Sequence, residues 1–208
     1  MAGLTASARG RHRVQNGITV YCIRHGQTDW NAQSRYQGQE DIAINEIGRE
    51  QARRNGEALR AFLPGIAAAH FVSSPLSRAR ETMRIIREAL GLPAEDYATD
   101  ERLLEVHYGA WQGQLLETLK VTDPEALAAR RADPFQFRPP GGENYADLMQ
   151  RTCDWLATLT RDTVVATHGG ITRTLRAQLL DLDPEKILDL EVPQDRVLIL
   201  RRGEMQWL

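Results

Sequence analysis

Two short apolar runs in this chain each end on a histidine with glycine directly behind it, and few architectures can use such a pair. Ile18-Thr19-Val20-Tyr21-Cys22-Ile23 is β-branched, aromatic or apolar and reads as a buried strand, with Arg24-His25-Gly26-Gln27-Thr28 at its end. Thr163-Val164-Val165-Ala166-Thr167 reads the same way and runs into His168-Gly169-Gly170. Beyond those glycines Ile171, Leu175 and Leu179 recur every four residues, as on one face of a helix. In open α/β sheets, ligands sit outside the carboxyl ends of the strands. A helix starting there offers unpaired N–H groups to an anion. Arginine supplies a fixed cation, histidine a nucleophile neutral near pH 7, and glycine a permissive backbone. The combination suits a phosphoryl group.

Between the two junctions, strand and helix patterns alternate, which predicts an α/β fold: a single three-layer α/β/α domain around a mostly parallel central sheet. Asp29 to Asp41 reads as a loop containing Trp30 and Asn31. A helix follows from Asn45, its N-cap, to about Leu63, with Ile47, Ala52, Leu59, Phe62 and Leu63 as the apolar members. A strand is expected over Ala69 to Ser73, and Ser74-Pro75 then opens a helix whose buried stripe is Leu76, Ala79, Met83, Ile86 and Leu90. Arg78 lies off that stripe; helical geometry alone leaves it a surface residue. A further strand is expected over Tyr97 to Leu103, then a glycine-rich, aromatic loop to Gly113. Glu105 in that loop has apolar neighbours on both sides and reads equally as a buried acid or an exposed carboxylate. Two helical pieces, broken at Asp123-Pro124, span Leu115 to Ala132, and an irregular connector leads to a helix from Glu143. Arg196 to Leu200 and Met205 to Leu208 form a hairpin. His70 and His107 read as ordinary strand-end and loop histidines. Trp111, Phe135 and Phe137 could wall a pocket or fill a core.

The 208 residues suffice for one fairly large domain, expected over 17–208, behind a polar extension at 1–16. That extension carries Arg9, Arg11, His12 and Arg13 and no acid, a faint likeness to an organellar transit peptide; a plain flexible segment of a cytoplasmic protein is the default. A formal charge of −2 gives no basis for nucleic-acid binding, and no apolar run reaches membrane-span length. Cys22 and Cys153 fall in a strand and a helix, so they read as buried thiols in a reducing compartment. Neither the cysteines nor the five histidines show metal-ligand spacing, so no metal is expected.

Arg24-His25-Gly26-Gln27-Thr28 with Trp30-Asn31 resembles the signature of the histidine phosphatase superfamily, also called phosphoglycerate mutase-like. Ser73 to Thr82 resembles its second motif, Leu104-Glu105 before Tyr108-Gly109-Ala110-Trp111-Gln112-Gly113 its third, Pro140-Gly141-Gly142-Glu143 a fourth, and Thr167-His168-Gly169-Gly170 the last. The order is the family's, and the resemblance runs from Ile18 to the C-terminus. It implies that His25 takes the phosphoryl group as a phosphohistidine. Arg24, Asn31, Arg78 and His168 would surround the phosphoryl oxygens, and Glu105 would protonate the leaving oxygen and then activate water. Gln37, Gly38, Tyr108 and Gly169 join the expected substrate or phosphate contacts. Flanking arginines would hold His25 neutral, and no metal or other cofactor is needed because the arginines supply the charge.

The family contains both hydrolases and mutases. Tyr108 matches a tyrosine of the mutases, and Arg130-Arg131 is similar to their paired arginines. Leu116, however, stands where those mutases carry a lysine, and the Gly113–Pro140 segment is short for one. A phosphomonoester hydrolase is therefore favoured. The alternatives are a mutase using 2,3-bisphosphoglycerate and a non-catalytic relative that binds phosphorylated ligands, against which intact His25, Glu105 and His168 argue. The expected partner is a small phosphorylated metabolite: a sugar phosphate, a phosphoglycerate, a phosphoserine-like compound or a cobalamin nucleotide-loop intermediate all fit. A homodimer is compatible with the sequence; nucleic acid and membrane are not expected.

Overall fold

The structure, a computed structural model, describes residues 17–208. The extension expected at 1–16 lies outside them. In chain order the elements are β1 (Val20–Arg24), α1 (Asp29–Ala32), α2 (Glu46–Phe62), β2 (His70–Ser73), α3 (Ser77–Ala89), β3 (Ala98–Thr99), α4 (Leu116–Thr122), α5 (Pro124–Ala132), α6 (Tyr145–Leu156), β4 (Thr163–Thr167), α7 (Gly169–Leu179), β5 (Leu198–Arg201) and β6 (Glu204–Trp207). They build one six-stranded sheet in the order β3-β2-β4-β1-β5-β6. β3, β2, β4 and β1 run parallel; β5 and β6 continue the sheet antiparallel as the C-terminal hairpin.

Successive residues of a strand face opposite sides, and the core divides accordingly. Tyr21, Ile23, Phe71, Val164, Ala166 and Ile199 pack with Leu59 of α2 and with Met83 and Ile86 of α3. Val20, Cys22, Val72, Val165, Leu198 and Leu200 face α6 and α7, through Leu148, Trp155, Ile171 and Leu175. The sheet is thus the middle of three layers. A smaller cluster of Trp111, Leu119 and Leu127, with Tyr36, Tyr108, Leu116 and Phe137 against it, joins α4 and α5 to the loops around Tyr36 and Tyr108.

Four local expectations are corrected. The stretch Asp29 to Asp41 is not all loop: Thr28 caps α1, in a capping box with Asn31. The helix expected at Pro75 begins at Ser77, because Leu76 is extended (ψ 139°) and Ser77 N–H and Oγ both bond Asp41 Oδ1. The strand expected over Tyr97 to Leu103 is only Ala98–Thr99; Asp100 accepts the Arg102 N–H at 2.9 Å and turns the chain into a 3₁₀ segment at Glu101–Leu103. Finally, Ile47 and Phe62 are exposed, 58% and 44%. The buried face of α2 is instead Gly48, Ala52, Asn55, Gly56 and Leu59. Small residues are needed there because a Cβ on Gly56 would stand 2.7 Å from the Ala89 Cβ of α3.

Candidate active site

β1 and β4 are adjacent and in register, Arg24 opposite Thr167, so His25 and His168 leave the sheet side by side at its carboxyl edge. Their ring centroids are 5.2 Å apart. A cleft of about 150 Å³ opens over this edge, lined by Arg24, His25, Asn31, Gln37, Gly38, Arg78, Glu105, Tyr108 and Gly169 among the expected residues. His168 stands behind His25 and not on the cleft wall. A larger hollow of about 320 Å³ beside the β3 edge holds His70 with Arg161 and Asp100 but none of the expected site residues, so size does not decide which opening is the site.

His25 is buried, and its Nδ1 lies 2.8 Å from the Gly26 carbonyl. A carbonyl only accepts, so Nδ1 carries the proton and Nε2 keeps its lone pair. Burial first, then the Arg78 and Arg24 guanidiniums, push its pKa well below the usual imidazole range. The arginines alone were the expected cause; desolvation is the larger one. Behind it, His168 Nε2 meets Ser74 Oγ at 2.7 Å, and buried Nδ1 has no partner. With the serine hydroxyl donating, the ring carries its proton on Nδ1 and can donate it to an anion. Burial, then Arg78, likewise holds His168 neutral.

The linkage sign is fixed. In the unfolded chain both histidines take up a proton as pH falls through about 6.5, while the native state leaves them neutral. Unfolding therefore gains protons there, and stability falls with pH by about 1.4 kcal/mol per unit for each histidine. Urea unfolding at pH 7.5 and 5.5 should show wild type losing about 1.4 kcal/mol more than His168→Asn. Equal losses would contradict the buried, neutral assignment.

The surface reading of Arg78 is overturned: the side chain is fully buried and donates to Gly38 O and Glu40 O at 2.6 Å each. It sits in the first turn of α3, where a cation opposes the helix dipole. Burial pushes its pKa down to about 10, with Glu105 and Asp41 opposing that shift. Arg24 donates to Val192 O at 2.9 Å, and the Nε atoms of both arginines are buried without a partner. Buried donors of this kind are costly unless a ligand meets them. Asn31 Oδ1 accepts from Thr28 N–H at 3.1 Å and Gln194 Nε2 at 3.0 Å, so its amide N–H groups are what it offers the cleft.

Glu105 Oε1 accepts the Val106 and Gly170 N–H groups at 2.9 and 3.0 Å. Its backbone carbonyl takes Gln39 Nε2 and Arg151 Nη2, and Arg151 is held by Glu143, which also bonds the His107 N–H. The Pro140-Gly141-Gly142-Glu143 stretch therefore acts as a staple for the Glu105 loop. A Cβ on Gly170 would overlap Glu105 Oε1. Gly170→Ala should displace that carboxyl and lower kcat on an alkyl phosphate about 10²-fold while the fold survives. Unchanged kcat would show that Glu105 need not sit on this N–H.

The sequence reading missed several residues. Arg35, Tyr36, Arg173 and Val192 also line the cleft. Gln194 donates to the His25 carbonyl at 3.0 Å. Most sit in loops without periodic signal; Arg173 could have been flagged as a charge near the start of the helix behind Gly169-Gly170. Trp111 and Phe137 stack at 5.3 Å within the small cluster, and Phe135 packs on the main core, so none of the three walls the cleft. His107 Nδ1 accepts the Gly109 N–H at 3.0 Å, an ordinary loop role. Arg130 bonds Tyr36 Oη at 2.7 Å and lies over the Tyr36, Tyr108 and Trp111 rings, and Arg131 is exposed; neither lines the cleft. Among the described residues no group of histidine, cysteine, aspartate or glutamate could hold a metal ion, and no helix is long and apolar enough to cross a membrane.

A family model described as the histidine phosphatase superfamily (branch 1) matches residues 20–208. A glucosyl-3-phosphoglycerate phosphatase of Mycolicibacterium vanbaalenii is 37% identical over 77% of this chain and 73% of its own length. A 2,3-bisphosphoglycerate-dependent phosphoglycerate mutase of Gloeobacter violaceus is 32% identical over 82% of this chain and 79% of its own. A solved structure of mycobacterial glucosyl-3-phosphoglycerate phosphatase with VO3 aligns with a TM-score of 0.78 at 31% identity, covering 92% of this chain and 97% of that one.

Proposed function

Since the chain belongs to the histidine phosphatase superfamily, we propose that it hydrolyses a phosphomonoester of a small metabolite through a phosphohistidine at His25. The observation that carries this reading is the bond from His25 Nδ1 to the Gly26 carbonyl in a buried, arginine-flanked site, which keeps Nε2 as a neutral nucleophile. Nε2 attacks phosphorus, an N–P bond forms, and the ester P–O bond breaks. The leaving oxygen takes its proton from the Glu105 carboxyl. Glu105, now a carboxylate, accepts a proton from water as the water oxygen attacks phosphorus, and the N–P bond breaks to release inorganic phosphate and neutral His25. Through both steps Arg24, Arg78, Asn31 and His168 supply donors to the equatorial oxygens, where charge builds in the transition state. Splitting one displacement in two lowers each barrier.

Hydrolysis is favoured over mutase action because the positions that the resemblance matches to a mutase's substrate-holding cations, Leu116, Arg130 and Arg131, place none on the cleft wall. Leu116 packs among aromatic rings, and Arg130 is held by Tyr36. The mutase reading keeps one supporting observation, Tyr108 on the cleft wall. The test is one assay on pure protein. 3-Phosphoglycerate, with and without 2,3-bisphosphoglycerate, is compared with glucosyl-3-phosphoglycerate and other phosphomonoesters, reading phosphate and 2-phosphoglycerate. Phosphate release without isomer is expected, and EDTA should leave the rate unchanged because arginines carry the positive charge. Rapid 2-phosphoglycerate formation that needs the bisphosphate would replace this reading with the mutase one.

A further inference from the structure

Four arginines line the cleft, Arg24, Arg35, Arg78 and Arg173, against one carboxylate, Glu105. A phosphomonoester dianion leaves positive charge over. Its place is set by the segment before β5. Three successive carbonyls there each accept one arginine: Leu190 O from Arg173 Nε at 3.0 Å, Glu191 O from Arg176 Nη1 at 2.7 Å, and Val192 O from Arg24 Nη1 at 2.9 Å. Arg24 and Arg173 are thereby fixed to one scaffold, one from β1 and one from α7.

Between them lies a notch over Gly169. A Cβ placed on Gly169 would stand 3.5 Å from Arg173 Nη1, 3.7 Å from Arg24 Nε and 3.3 Å from Val192 Cγ2. Arg24 Nε is a buried donor without a partner in the protein. Two guanidiniums held beside one another repel, and a buried donor without an acceptor costs free energy; one bound anion removes both penalties. Of the other cations near the cleft, Arg35 bonds Gly113 O and Gln33 and Arg130 bonds Tyr36, while Arg78, held by the 38–40 backbone, keeps its unpartnered Nε for the phosphoryl group.

We propose that the Arg24–Arg173 notch over Gly169 binds a second anion of the substrate, a carboxylate close along the carbon chain from the ester oxygen. The enzyme's substrate class is then a carboxylated phosphomonoester, with Arg173 setting the specificity. This rests on the phosphatase reading above and narrows it. Arg24 serves both groups, its two edges facing the phosphoryl group and the carboxylate, while Arg173 serves the carboxylate alone.

The experiment compares kcat/KM for 3-phosphoglycerate, glycerol 3-phosphate and p-nitrophenyl phosphate in wild type, Arg173→Lys and Arg173→Gln. Wild type should favour 3-phosphoglycerate over glycerol 3-phosphate by about tenfold or more, the effect of one charge-assisted hydrogen-bonded pair. In Arg173→Gln that ratio should fall toward one, with the loss on 3-phosphoglycerate exceeding the loss on p-nitrophenyl phosphate about tenfold. Arg173→Lys, which keeps the charge but not the fork, should fall between. An equal loss on all three esters would place Arg173 at the phosphoryl group and overturn the proposal. A wild type indifferent to the carboxylate would also overturn it, even if both variants failed to fold, and would leave the phosphatase reading standing. No hydrolysis of any ester, p-nitrophenyl phosphate included, would instead overturn the phosphatase reading itself.

Discussion

His25→Ala is expected to lower kcat by a factor on the order of 10⁴ or more and to abolish the phosphoenzyme. The size follows from the want of a substitute. Among the described residues the cleft wall offers no serine, threonine, cysteine or second histidine, and burial pushes the Tyr108 phenol well above its ordinary range, so no phenolate replaces the imidazole there. Loss of His25 leaves the arginines, Asn31 and His168 to orient a phosphate ester, and positioned donors without a nucleophile retain a small part of the rate. The measurement is initial rates on p-nitrophenyl phosphate beside trapping of labelled protein in an alkaline detergent quench, with loss of the label in acid but not in alkali marking a phosphohistidine. Hydrolysis within tenfold of wild type, or a phosphoenzyme that persists in the variant, would refute His25 as the nucleophile.

Glu105→Gln is expected to produce the second largest effect, and a selective one. A general acid contributes about 10² to 10⁴-fold, and most where the leaving oxygen is a poor leaving group. An amide keeps the size of the carboxyl but has no proton to give. Turnover of glycerol phosphates or sugar phosphates should therefore fall by about 10³, while formation of the phosphoenzyme from p-nitrophenyl phosphate should fall far less. The protein should keep its fold, because the amide oxygen of the variant can still accept the Gly170 N–H that Glu105 Oε1 accepts in the wild type. Equal slowing of phosphoenzyme formation from both substrate types would remove Glu105 from the role of acid and leave it a structural anchor for α7.

Strand and helix alternation, the Asn45 cap, the break at Asp123-Pro124 and the bounds of β4 were legible because each rests on local chemistry. Periodicity reads burial, capping reads orphan N–H groups, and proline reads a missing donor. The same local logic misplaced Ile47 and Phe62, since a helix stripe says which residues are apolar and not how closely the next helix approaches. Only the packing of α2 reveals that Gly56 meets α3 at Ile86 and Ala89 and that Gly48 meets the Gly26–Gln27 backbone. Arg78 is the sharper case. From α3 alone it is a polar residue off the stripe. In the fold it is fully buried between α3 and the 38–40 backbone, with two carbonyls as partners.

The sequence by itself determined the sheet-edge histidines, the glycines behind them and the order of motifs that makes the family recognisable, because each is a matter of residue type at a fixed spacing along one strand–loop–helix unit. Tertiary structure alone decided which nitrogen of His25 is the nucleophile, why Gly170 must lack a side chain, and that Arg173 shares a notch with Arg24 while Arg130 does not. The His25 nitrogen and the placing of Arg24 and Arg173 depend on backbone carbonyls at Gly26, Leu190 and Val192. A carbonyl is present in every residue and carries no signature in the sequence; only its direction in space makes it a partner.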